Sequence, residues 1–99
     1  EVIGINRYEL MLIVNPNADE ARQTEIVDRL RTDVEKSKGA VVGIDEWGKR
    51  KLAYEIDKES EGVYTVITFT AEPKTLAEVE RVLSITDEVL RFKTKRLKS

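Results

Sequence analysis

The sequence predicts an α+β domain in which a four-stranded antiparallel sheet carries two helices on one face. Three observations lead there. Four segments are dense in β-branched, aliphatic and aromatic residues, two others place apolar residues at helical spacing, and the order along the chain is β-α-β-β-α-β. The 99 residues suffice for one hydrophobic core without disulfide or metal staples.

Arg7–Asn15, RYELMLIVN, reads as the first strand. Tyr8, Leu10, Leu12 and Val14 take one parity and Met11 and Ile13 the other, so both faces are apolar, as in a central strand. Asn15-Pro16 signals a turn. Asn17 is placed to cap a helix, with Glu20 closing a capping box. Ile26, Val27, Leu30 and Val34 then form one helical stripe. Gly39 is expected to take the left-handed position past the helix end, with Lys36 and Lys38 favourable against the helix dipole. AVVGIDEWG and KRKLAYEI together read as one long, bent strand interrupted near Gly43 and Gly48. DKESEG reads as a polar turn, and Val63–Ala71, VYTVITFTA, as the third strand. Pro73 breaks it, and Thr75 with Glu78 suggests a second capping box before a helix marked by Leu76, Val79, Val82 and Leu83. After a turn at TDE, Val89–Leu97, VLRFKTKRL, is the last strand.

Strand-helix-strand returns are right-handed, and two such units interleaved give the ferredoxin-like split β-α-β sandwich. The first and third strands, the most apolar, belong at its centre. The two-residue period assigns Leu10, Leu12, Val14, Ile67, Phe69, Leu90 and Phe92 to the helix side, against Ile26, Leu30, Val34, Leu76, Val79 and Leu83. Glu9, Met11, Ile13, Tyr64, Val66 and Thr68 fall on the open face. Apolar residues there point to a protein partner or a stacking ligand, or else are scattered surface apolars beneath lysine stems.

The composition removes several chemistries. The chain has no cysteine and no histidine, which excludes thiol and imidazole catalysis and nearly all zinc-site types. No metal, cofactor or small-molecule substrate is expected. Asp19, Glu20, Asp28, Asp33 and Glu35 sit on the polar side of a helix, where ion pairing is the ordinary explanation. No phosphate-binding loop, dinucleotide fingerprint or calcium loop occurs, so an enzyme is not expected. No apolar run reaches membrane-spanning length and the start EVIGIN lacks signal-peptide features, so a cytosol-like compartment is expected, with no membrane partner.

The net charge is −2 and the isoelectric point near 5.3, which argues against a generic polyanion binder. The cations are nonetheless concentrated. Lys49, Arg50 and Lys51 are consecutive, and Arg91, Lys93 and Lys95 share one parity of a strand that contains no acid. Such a row suits a phosphate backbone. It equally suits an edge strand defended by lysine against edge pairing, and the triplet equally suits a solvated hairpin arm. The RNA-recognition module, which stacks bases on aromatics of its central strands, is a poor fit. Glu61 precedes Gly62, Val66 stands where a second ring belongs, and Met11 and Ile13 offer none on the first strand.

RYELMLIVNPN at Arg7–Asn17, WGKRKLAYEI at Trp47–Ile56, EGVYTVITFTAEP at Glu61–Pro73 and LSITDEVLRFKTKR at Leu83–Arg96 resemble the bacterial small-subunit ribosomal protein six family. The central stretch is the most diagnostic, with Gly48, Arg50, Leu52, Ala53, Tyr54 and Ile56 at the family's positions. The resemblance runs from Arg7 to about Leu97, and residues 1–6 are read as an N-terminal extension of unknown role before a domain at 7–99. It implies a ferredoxin-like fold and a structural, non-catalytic role in the ribosome of a bacterium or organelle. It also implies binding to the central domain of the small-subunit ribosomal RNA jointly with ribosomal protein eighteen. On this reading Arg7, Lys49, Arg50, Lys51, Arg91, Lys93 and Lys95 are the candidate RNA-binding residues. Met11, Ile13, Tyr64 and Val66 are the candidate partner-protein residues, and the isolated chain is expected to be a monomer. The alternative function class is a self-associating or ligand-sensing ferredoxin-like domain that ignores RNA.

Overall fold

The computed structural model describes residues 4–97. Residues 1–3, half of the expected N-terminal extension, and the last two residues lie outside that range. The elements are β1 (Asn6–Val14), α1 (Glu20–Lys36), β2 (Ala40–Ile56), β3 (Glu59–Ala71), α2 (Pro73–Ser84) and β4 (Val89–Leu97). The sheet order is β2-β3-β1-β4, and all neighbours are antiparallel. This is the expected ferredoxin-like arrangement, with the two most apolar strands at the centre.

The helix side of the sheet holds the core. Phe69, Leu10, Leu12, Ile67, Val34 and Val79 are withdrawn from water almost completely, and burying each such side chain is worth roughly 1.5–3 kcal/mol. Tyr8 and Phe69 lean on each other with ring centroids 5.7 Å apart. α1 contributes Ile26, Leu30 and Val34, and α2 contributes Val79 and Leu83 together with the buried Thr75. Leu76, Val27 and Phe92 pack against this cluster from its margin.

At one expected core position the structure differs. A register shift between β1 and β4 at Ile13/Val14 places Val89 opposite Val14. Val89, rather than Leu90, therefore packs on the core, because the irregularity resets the two-residue alternation at the start of β4.

Both helix starts also differ from expectation. The first N-cap is Asp19, whose Oδ1 accepts from the Arg22 backbone N–H at 2.8 Å. Asn17 is instead held in an Asx turn, its own N–H donating to Asn15 Oδ1 at 2.8 Å. In α2 no side chain caps the first turn. Glu72 is the N-cap residue and Pro73 opens the helix, since proline's fixed φ suits the first helical position and needs no donor. Thr75 lies one turn in, facing the core.

β2 and β3 form a hairpin longer than the rest of the sheet. Its turn is the two residues Asp57 and Lys58, both with positive φ (50° and 67°), the signature of a type I′ connection. β3 thus begins at Glu59, inside the stretch expected to be turn. Past Gly62 the hairpin has no partner strand from β1, and it projects as an arm.

Candidate nucleic-acid interface

β-pairing fixes which side chains share the open face. Ile13 is opposite Tyr64 on β3 and Arg91 on β4, Met11 is opposite Val66 and Lys93, and Glu9 is opposite Thr68 and Lys95. Partners in register project to the same side of a sheet. Arg91, Lys93 and Lys95 therefore form an exposed row beside Ile13, Met11 and Glu9. The helix side of the same strand is marked by Thr94, whose hydroxyl donates to Glu80 of α2 at 2.7 Å. Arg7 lies exposed on the open face at the far end of β1, paired with Leu97 and Thr70.

The basic triplet does not act as one patch. Arg50 pairs with Gly62 and shares the open-face parity, whereas Lys49 pairs with Val63 and Lys51 with Glu61, on the opposite parity. Arg50 sits over the Trp47 ring at 5.1 Å, and Trp47 lies nearly parallel to Tyr64, with centroids 6.2 Å apart and an interplanar angle of 11°. The Trp47 indole N–H donates to Asp45 Oδ2 at 2.9 Å. These contacts order the rings from β2 and β3 and aim the Arg50 charge across them.

The four apolar candidates for a protein partner are contiguous, but they differ in what they expose. Ile13 and Val66 are only 8% and 9% exposed, while Met11 and Tyr64 are half-buried. Ile13 is covered by the base of the arm. One of its methyl carbons occupies the place where a side chain on residue 62 would begin, and Gly62 leaves that space free with Leu52 beside it.

Two aromatic residues of the face are not evident from the central strands, where stacking rings are ordinarily sought. Trp47 and Tyr54 come from β2, 40% and 54% exposed. The Tyr54 hydroxyl accepts a hydrogen bond from Arg91 Nη1, so the arm reaches the far edge strand. The one-sided spacing of Arg50, Leu52 and Tyr54 carries a signal of this face, but the curl of the arm over the sheet has none in the sequence.

Among the described residues no cluster of three or more acidic, histidine or cysteine side chains is arranged to hold a metal. No described helix is long and apolar enough to cross a membrane.

Comparison with known proteins bears on the family and the fold. A model of the family described as "Ribosomal protein S6" matches residues 7–96. The small ribosomal subunit protein bS6 of Corynebacterium glutamicum is 47% identical over 93 residues, covering 94% of this chain and 98% of that protein. The protein of the same name from Clostridium novyi is 46% identical, covering 89% of this chain and 93% of its own. The crystal structure of 30S ribosomal protein S6 from Thermotoga maritima superposes with a TM-score of 0.86 at 37% identity, covering 95% and 89% of the two chains. The C-terminal domain of the MgtC protein from Mycobacterium tuberculosis has a TM-score of 0.68 at 14% identity and shares the fold alone. The chain belongs to the ribosomal protein S6 family, whose role is structural, within the small ribosomal subunit.

Proposed function

We propose that this protein binds the central domain of the small-subunit ribosomal RNA together with ribosomal protein eighteen, holding RNA phosphates along β4. The observation that carries the reading is the exposed row Arg91, Lys93 and Lys95 on one face of an edge strand, in a chain whose net charge is −2. A chain acidic overall gains no general attraction to polyanions, so a local cationic row points to a directed contact. Arg7 extends the row at one end and Arg50 widens it at the arm, while Lys49 and Lys51 reach RNA only from the other side of the hairpin. The protein partner sits beside the row on Met11, Ile13, Tyr64 and Val66, where Met11 and Tyr64 have surface left to offer.

The test is the triple replacement of Arg91, Lys93 and Lys95 by alanine, titrated against a central-domain RNA fragment with ribosomal protein eighteen present. Affinity is expected to fall, and the slope of log affinity against log salt to become shallower by about two to three, close to one for each phosphate left without its cation. An unchanged slope would remove the row from the interface. Replacing Lys49 and Lys51 alone is expected to have the smaller effect.

A further inference from the structure

We infer that Tyr54 is a stacking platform for one unpaired nucleobase, an inference that rests on the RNA-binding reading above and gives it a base contact. The other aromatic rings are already engaged within the chain. Tyr8 and Phe69 are buried together, Phe92 packs on the core, and Trp47 and Tyr64 lie against each other. Tyr54 stacks on no other ring among the described residues, and it is 54% exposed.

Its ring is nevertheless held in place. Arg91 donates to the hydroxyl from the opposite edge of the sheet, with its guanidinium carbon 5.4 Å from the ring centroid. A ring tethered at its hydroxyl has lost much of its rotational freedom before a ligand arrives, which lowers the ordering cost of binding. The guanidinium has five N–H donors in a planar fork, so the hydrogen bond to Tyr54 leaves donors for a phosphate. Lys93 follows on the same face, and Arg50 shares that face on the arm. An aromatic face bordered by cations matches a single-stranded nucleotide, with the base on the ring and its phosphates on the charges. Paired bases in a helix present no free face, so the occupant is a base from a loop, bulge or junction.

The experiment uses the full chain with ribosomal protein eighteen and a central-domain RNA fragment. Tyr54→Phe keeps the ring but loses its tether and is expected to bind a few-fold weaker than wild type, whereas Tyr54→Leu is expected to lose roughly ten-fold or more. Because no phosphate-binding cation is removed, the salt slope of Tyr54→Leu stays that of wild type. Short-wave ultraviolet irradiation of the wild-type complex is expected to crosslink the Tyr54 peptide to a nucleotide. Tyr54→Leu binding RNA like wild type, on a background that still weakens with salt, overturns the inference and leaves the phosphate reading standing. A loss that appears equally when ribosomal protein eighteen is titrated without RNA also overturns it, since the ring's occupant is then a protein side chain. Wild-type binding that ignores salt overturns the phosphate reading itself, and this inference falls with it.

Discussion

The left-handed turn expected of Gly39 falls on Lys38, and Gly39 serves a different need. α1 ends at Lys36, and the chain turns through Lys38 at φ 68°, a conformation in which a side chain costs on the order of 1 kcal/mol. Gly39 has another duty. Its N–H donates to the Val34 carbonyl at 3.0 Å, and a Cβ there would lie 2.1 Å from the Thr70 carbonyl oxygen and 2.8 Å from a Val34 methyl. The glycine allows the helix end to press against β3, and the lysine takes the left-handed turn. Two neighbouring substitutions should therefore move stability in opposite directions. Lys38→Gly is expected to stabilise by about 1 kcal/mol. Gly39→Ala is expected to destabilise by roughly 3 kcal/mol, because backbone or core must shift to admit the methyl. Urea denaturation of both variants measures this, and a stabilised Gly39→Ala would refute the close-approach account.

Elements are joined at their ends as well as through the core. The Asn15 N–H donates to the Glu88 carbonyl at 2.7 Å, and Arg22 of α1 reaches the Glu88 carboxylate at 3.0 Å, so the loop before α1 is tied to the loop before β4. The Arg22 hydrogen bond, aided by the residue's own backbone N–H, holds the Glu88 pKa below the ordinary glutamate value. A depressed carboxylate pKa means that folding favours the charged form. The contribution is complete above the unfolded-state value and is lost as the pH falls through the folded-state value beneath it. Arg22→Gln should then melt below wild type at neutral pH and converge on it at an acid pH where the folded-state Glu88 carboxylate is protonated. A gap that stayed constant to that pH would show that Arg22 acts through packing instead. Element order, the central strands and most core positions were legible because periodicity reports which face is apolar, as at Leu10, Leu12, Ile67 and Phe69. The helix starts were less legible. Asn17 and Asp19 are both competent caps, and Thr75 became a core residue once Pro73 opened α2. The candidate face was half legible. The β4 row follows from alternation along one strand, but the split of Arg50 from Lys49 and Lys51, and the reach of Tyr54 to Arg91, depend on pairing and curl between strands.

At the scale of the whole molecule the structure has a thick body and a thin arm. Its principal extents are 47 × 25 × 21 Å. The 17 residues of β2 span on the order of 50 Å when extended, so this one hairpin strand sets the long axis. In the body, β1 and β3 lie under both helices and are flanked by strands on each side. In the arm only Leu52, Ile56 and Glu59 between Arg50 and Glu61 are even half-buried, and the β2–β3 register is irregular between Lys51 and Ile56. Local opening is governed by how few apolar contacts must be broken, so the two parts should open separately. In native-state hydrogen exchange, the paired amides of Leu12 and Ile67 are expected to exchange only through global unfolding. The hydrogen-bonded amides of Leu52–Glu61 should exchange orders of magnitude faster, with a weak dependence on denaturant. The arm carries Arg50 and Tyr54, so occupation of the proposed interface has to order it. Adding the RNA fragment and ribosomal protein eighteen should slow arm exchange markedly. Global unfolding should slow with it by mass action, as for any ligand that binds only the folded state. If the free arm were already as protected as Leu12, it would belong to the cooperative body and the two-part description would be wrong. If the arm were fast both free and bound, the RNA would be held by β4 alone, and neither Arg50 nor Tyr54 would have a place in the complex.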